Sequence, residues 1–211
     1  MSGFEFYFSF FGLLMGLTVA EVATKFADAI GARSKVALGL LTPLLAIFIL
    51  FDVSGLWLYA WASRDALEPS WPMVYGGLVV SLAYFLSAAL VFPRQPGEWR
   101  SLDEYYWIHK RIVLGGVLVA NLIALGYQFY RVPVALNDFW AFFYQAVYYV
   151  PLTALIFARS RRVNLVLLGF LVAWFIISLV DILPHSAWGD QSGLNGDVPQ
   201  AASTSGTGAS R

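Results

Sequence analysis

The chain contains no cysteine, which excludes disulfides, thiolate zinc sites, iron–sulfur ligation and thiol nucleophiles. Charge is scarce as well: Asp, Glu, Lys and Arg make up 12% of the 211 residues, against about a quarter in a soluble domain. Thirteen basic and thirteen acidic side chains cancel to a formal net charge of zero. Without a basic face, nucleic acid is excluded as a partner. The two histidines, His109 and His185, fall near opposite ends of the predicted bundle, so they cannot share one haem as axial ligands. GxSxG, HExxH and GxGxxG are all missing, and the acids are spread over separate segments. Neither an enzyme class nor a cofactor or metal is indicated.

What remains is apolar, 59% of the chain. Long hydrophobic stretches fill the sequence from Phe4 to Pro184, and four of them run uncharged: Pro69 to Pro93, Ile112 to Tyr130, Phe139 to Ala158 and Val163 to Val180. At about 1.5 Å per residue each reaches roughly 27 Å or more, the depth of a bilayer's hydrocarbon layer. Two further stretches are each broken by an acid, Glu21 in the first and Asp52 in the second. The expectation is an all-α membrane protein, a six-transmembrane-helix bundle over residues 1–184 with the lipid bilayer as its surroundings. Residues 185–211, rich in Gly, Ser, Ala and Thr, form a second region whose composition predicts a disordered polar C-terminal tail. The first stretch lacks a basic leader and a small-residue cleavage site, and reads as a retained helix.

Helix one is expected over Phe4 to Ile30, helix two over Lys35 to Ala62, helix three over Pro72 to Phe92, helix four from Ser101 to Tyr130, helix five over Asn137 to Ala158 and helix six over Arg162 to Leu183. Ser101 and Glu104 fit a capping box at the start of helix four. That helix is longer than the membrane requires, which predicts about two protruding turns. Short loops carry Arg33, Lys35, Arg94, Arg100, Arg159, Arg161 and Arg162 on one side, with Lys110 and Arg111 just inside helix four, against Arg64 and Arg131 on the other. By the positive-inside rule this places both termini outside, on the periplasmic face of an inner membrane. An internal duplication is not found: PLLAIF from Pro43 lies near the start of helix two and PLTALIF from Pro151 near the end of helix five, so an inverted repeat would not superpose them.

Ionisable groups inside a span are costly and face protein or water. Glu21, Lys25 and Asp28 share one stripe of helix one, with Lys25 and Asp28 at the interface. Gly12, Gly16 and Ala20 give its other face a small-residue approach for a packing partner. Asp52 is flanked by apolar sequence on both sides; with helix two starting at Lys35 it lies roughly 25 Å from the inner end. Such a carboxyl must pair, face a wet cavity or hold its proton, and its candidate partners are Asn121, Gln128, Gln145 and Tyr148. Asp181 falls near the outer surface, in a solvated or capping role. Pro43 and Pro151 predict kinks within helices two and five. Two functions fit: a small transporter or channel for protons or a small solute, using Asp52 and Glu21, or an accessory subunit that docks, as a homodimer or in a larger membrane complex, through the Gly12/Gly16/Ala20 face and the base of helix four.

Overall fold

The computed structural model describes residues 3–64 and 70–178; Asp181, His185 and the polar tail lie outside them. Six helices carry the described chain: α1 (Gly3–Gly31), α2 (Leu41–Ala62), α3 (Trp71–Ala89), α4 (Leu102–Arg131), α5 (Phe139–Phe157) and α6 (Arg161–Ser178), with one short 3-10 turn at Pro96–Glu98. Each of the six is long and apolar enough to cross a membrane, consistent with a polytopic membrane protein. Among the described residues there is no strand, only an isolated bridge between Ala37 and Ser101.

α2 is the most buried helix. It packs between α1 and α6 and also touches α4, while α3 bridges α1 to α4 and α5 leans on α4 and α6. Lipid tails are as apolar as leucine, so helix association here depends on close packing and on polar ties between helices. The packing is carried by Leu45, Phe48 and Ile49 of α2, Leu114 and Val117 of α4, Leu152 and Leu155 of α5, and Leu168 and Leu171 of α6, all buried.

One group of polar ties lies at the arginine-rich end. α2 begins six residues later than the apolar pattern suggests, at Leu41 rather than Lys35, because residues 36–42 are drawn alongside the start of α4. Leu102 N donates to Ala37 O at 2.9 Å, and Thr42 Oγ1 donates to Leu102 O at 2.6 Å. Leu40 is the N-cap of α2 and has no side chain able to cap it. Asp103 of α4 supplies the missing acceptor, its Oδ1 taking a hydrogen bond from Leu41 N at 2.9 Å, while Oδ2 meets Arg161 of α6 at 3.4 Å. Gly39, at φ +66°, makes the turn, and a Cβ there would collide with the Asp103 carboxylate.

Three local expectations are corrected by this arrangement. Pro43 lies in the first turn of α2, where its missing N–H would have had no partner anyway, so it makes no interior kink. Pro151 does sit inside α5. Ser101 caps α4 by accepting from Asp103 N at 3.0 Å, in place of a reciprocal box with Glu104. The base of α4 is no free projection either, because Leu102, Tyr106 and Lys110 are buried against the chain's own elements.

Two lysines close helix C-termini, where unpaired carbonyls and the negative end of the dipole favour a cation. Lys25 Nζ donates to Ala89 O, the last residue of α3, at 2.8 Å and pairs with Glu21 at 3.0 Å. Lys110, only 3% exposed, donates to Leu155 O and to Asn164 Oδ1, each at 2.9 Å, and to Ala158 O. It thereby joins α4 to the α5–α6 turn. Tyr106 donates to the same Asn164 oxygen at 2.7 Å, and the ammonium lies 4.7 Å from the Trp107 ring centroid.

Two stability outcomes follow. Gly39→Ala should cost about 1–2 kcal/mol from the left-handed backbone alone, lowering the thermal midpoint in detergent, while Gly97→Ala, at an exposed site with nothing within 4 Å, should leave it unchanged. Lys110→Met should cost about 3 kcal/mol or more, since three acceptors lose a charged donor. Equal midpoints for Lys110→Met and the parent would contradict the tie.

Candidate functional site

Starting α2 at Leu41 moves Asp52 to the middle of its helix, about 17 Å from the helix start, and not the 25 Å implied by a start at Lys35. The side chain is 3% exposed. Its carboxyl is held by three other helices. Tyr84 of α3 donates to Oδ2 at 2.6 Å, Tyr148 of α5 donates to Oδ1 at 2.5 Å, and Asn121 Nδ2 of α4 reaches Oδ2 at 3.1 Å. The same amide nitrogen lies 2.7 Å from Tyr84 Oη and 2.9 Å from Tyr148 Oη, so the four side chains close a ring.

No lysine or arginine among the described residues forms a salt bridge with Asp52: Lys25 is committed to Glu21, Arg161 to Asp103 and Lys110 to neutral oxygens. A buried carboxylate balanced only by neutral donors remains costly. A proton removes that cost, and the ring can accommodate it, because a tyrosine hydroxyl both donates and accepts. If the acid becomes a donor, one hydroxyl reverses and the hydrogen bonding still closes.

Three of the ring side chains, Asp52, Asn121 and Tyr148, form the floor of a cavity of ≈450 Å³. Its walls come from the halves of α2, α4, α5 and α6 remote from the arginine-rich end, with Tyr59, Tyr144, Tyr149, Trp174 and Phe175 among the aromatic lining. On the other side of Asp52, Phe48 and Ile49 are buried in packed core. The cavity therefore reaches toward one end of the bundle only. α5 is the least buried of the six helices, and Pro151, three residues past Tyr148, removes the hydrogen bond to Val147 O that would stiffen it.

Of the residues singled out from the sequence, Asp52, Asn121 and Tyr148 come together. Gln145 lines the same cavity without being one of the four ring side chains. Gln128 is 1% exposed and faces a separate cavity of ≈190 Å³ between α1, α2, α3 and α4, where its Nε2 has no hydrogen-bond partner. Glu21 is elsewhere, pairing with Lys25. On the small-residue face, Gly12 lies against Trp57, a Cβ there coming 3.2 Å from the indole nitrogen, whereas Gly16 has nothing within 4 Å and Ala20 is exposed.

Tyr84 was not foreseen. It is fully buried, and one of eleven tyrosines carries no mark in sequence, although its place well inside an uncharged span, away from the aromatic belts, was a usable signal. Lys110, just inside helix four, likewise counts in the sequence only toward the charge bias of that end. Comparison with family models, with characterised proteins and with solved structures finds no match for this chain. What the fold defines is a six-helix polytopic bundle, and any functional reading rests on its own residues.

The ring makes a direct energetic prediction. Asp52→Asn and Tyr84→Phe, combined in a double-mutant cycle of detergent unfolding, should show a coupling of about 1–3 kcal/mol. Additive effects would mean that the two side chains are not bonded.

Proposed function

We propose that the protein is a small transporter or channel for protons or a small solute, with Asp52 as its working acid and Asn121, Tyr148 and Tyr84 as the groups that hold it. The observation that carries this reading is a mid-depth carboxyl without a cationic partner, set in reversible hydrogen-bonding groups, at the closed end of a one-sided cavity. A purely structural carboxyl is satisfied by one or two donors in dry packing; this one lines space. Movement of α5 about Pro151 is the step that would expose the ring to the other side, since Tyr148 rides on that helix and makes the shortest bond to Asp52. Glu21 stays outside the pathway, holding Lys25 against the end of α3.

The basic loops orient the molecule in this proposal with both termini outside the inner, plasma membrane, so that the cavity faces the periplasm. A second reading, an accessory subunit, is favoured by the exposed Gly16 and Ala20 and by the open groove beside them, lined by Phe8, Gly12 and Trp57. It would use that face for a second copy or a larger complex.

Reconstitution separates the two. In proteoliposomes Asp52→Asn should fold, as judged by elution and unfolding midpoint, yet abolish proton-linked flux, whereas Gly16→Leu should leave flux intact. Flux unaffected by Asp52→Asn, with a partner lost on Gly16→Leu, would favour the accessory role instead.

A further inference from the structure

We infer that the cavity beside Asp52 binds a small organic ammonium ion, a primary or secondary amine carrying an apolar or aromatic body. This names a substrate class for the transport reading and rests on that reading only for the ligand's movement, not for its binding.

Charge sets the first requirement. Among the described residues Asp52 is the only acid lining the cavity, and no lysine or arginine lines it, so an anion would be repelled and a cation would balance the buried carboxyl. Shape sets the second. A volume of ≈450 Å³ falls within the range of about 300–1,000 Å³ typical of sites for small organic molecules. It is far larger than a bare metal ion, and among the described residues no group of three acidic, histidine or cysteine side chains could hold one.

The walls supply the third requirement. Phe51, Tyr59, Tyr144, Tyr149, Trp174 and Phe175 line the space, and aromatic faces attract organic cations while also covering an apolar body. Tyr144 of α5 and Trp174 of α6 meet at an interplanar angle of 42°, with ring centroids 6.0 Å apart.

Hydrogen-bonding capacity then selects an N–H cation over a quaternary one. Asp52 Oδ2 accepts from Tyr84 and Asn121, whereas Oδ1 accepts from Tyr148 alone, and a carboxylate oxygen can take two hydrogen bonds. Tyr59 is independent of that ring. Its hydroxyl is buried without a hydrogen-bond partner, and its side chain stands between this cavity and the smaller one beside Gln128, so it can accept from a second N–H.

The test is calorimetric titration of the full-length chain in nanodiscs, with empty nanodiscs subtracted for partitioning. Three probes of one shape are used: phenethylammonium, neutral 2-phenylethanol and anionic phenylacetate. Phenethylammonium should bind saturably and at least tenfold more tightly than the alcohol, with no binding of phenylacetate. Asp52→Asn should erase the preference. Trp174→Leu, away from the hydrogen-bonded ring, should weaken the ammonium severalfold and guards against a folding defect in the first variant.

Equal affinity for ammonium and alcohol, or an ammonium affinity unchanged by Asp52→Asn, would overturn the inference. Asp52-dependent binding with no uptake into proteoliposomes would uphold the site and end the transport reading. Asp52-dependent proton flux without selectivity for the ammonium would end this inference and leave that reading standing.

Discussion

A carboxyl group halfway through an apolar bundle has to find its hydrogen bonds in protein, because the hydrocarbon offers none. Asp52 finds them on three neighbouring helices at once, through Tyr84, Asn121 and Tyr148. That requirement fixes how α2, α3, α4 and α5 face one another, since each must turn one chosen residue toward the same point. Apolar packing alone leaves helix rotation weakly specified in lipid, where a leucine costs as little facing tails as facing protein. The four-membered ring is thus both the register device of the bundle's centre and a concentration of polar groups at that depth.

The arginine-rich end obeys the same logic with different groups. Helix termini leave carbonyls and amides unpaired, and here the missing partners are borrowed from other helices: Asp103 of α4 for the start of α2, Lys25 of α1 for the end of α3, and Lys110 of α4 for the end of α5. That end is tied together, while the opposite half of the molecule opens into two cavities, one floored by Asp52, Asn121 and Tyr148 and the other lined by Gln128. A firm base and a looser upper half, with α5 weakened by Pro151, is the mechanical arrangement that the proposed movement of α5 uses.

Much of this was legible in the residues. Length and apolarity gave the six spans, and the isolation of Asp52 within one of them marked the centre of interest. Asn121 and Tyr148 could be nominated from depth alone, because antiparallel helices put known levels side by side. Gln128 could be nominated too, but depth does not encode rotation, and its side chain turns toward a different cavity. Tyr84 shows the complementary failure: a tyrosine belongs to belts, cores and sites alike, and only the fold distinguishes them. The start of α2 was hidden for another reason. The apolar pattern continues through Val36 to Leu40, and the helix is prevented there by hydrogen bonds to residues 100–103, which are more than sixty positions away in the chain.

The account depends on Asp52 being bonded to tyrosines of other helices within the bundle. Infrared spectroscopy reads that bond itself: the carboxyl stretching band that disappears in Asp52→Asn identifies the group, and its frequency reports its hydrogen bonds. The account predicts that this band moves in Tyr84→Phe and moves again in Tyr148→Phe, with the other carboxyl bands unchanged. A band indifferent to both substitutions would contradict it.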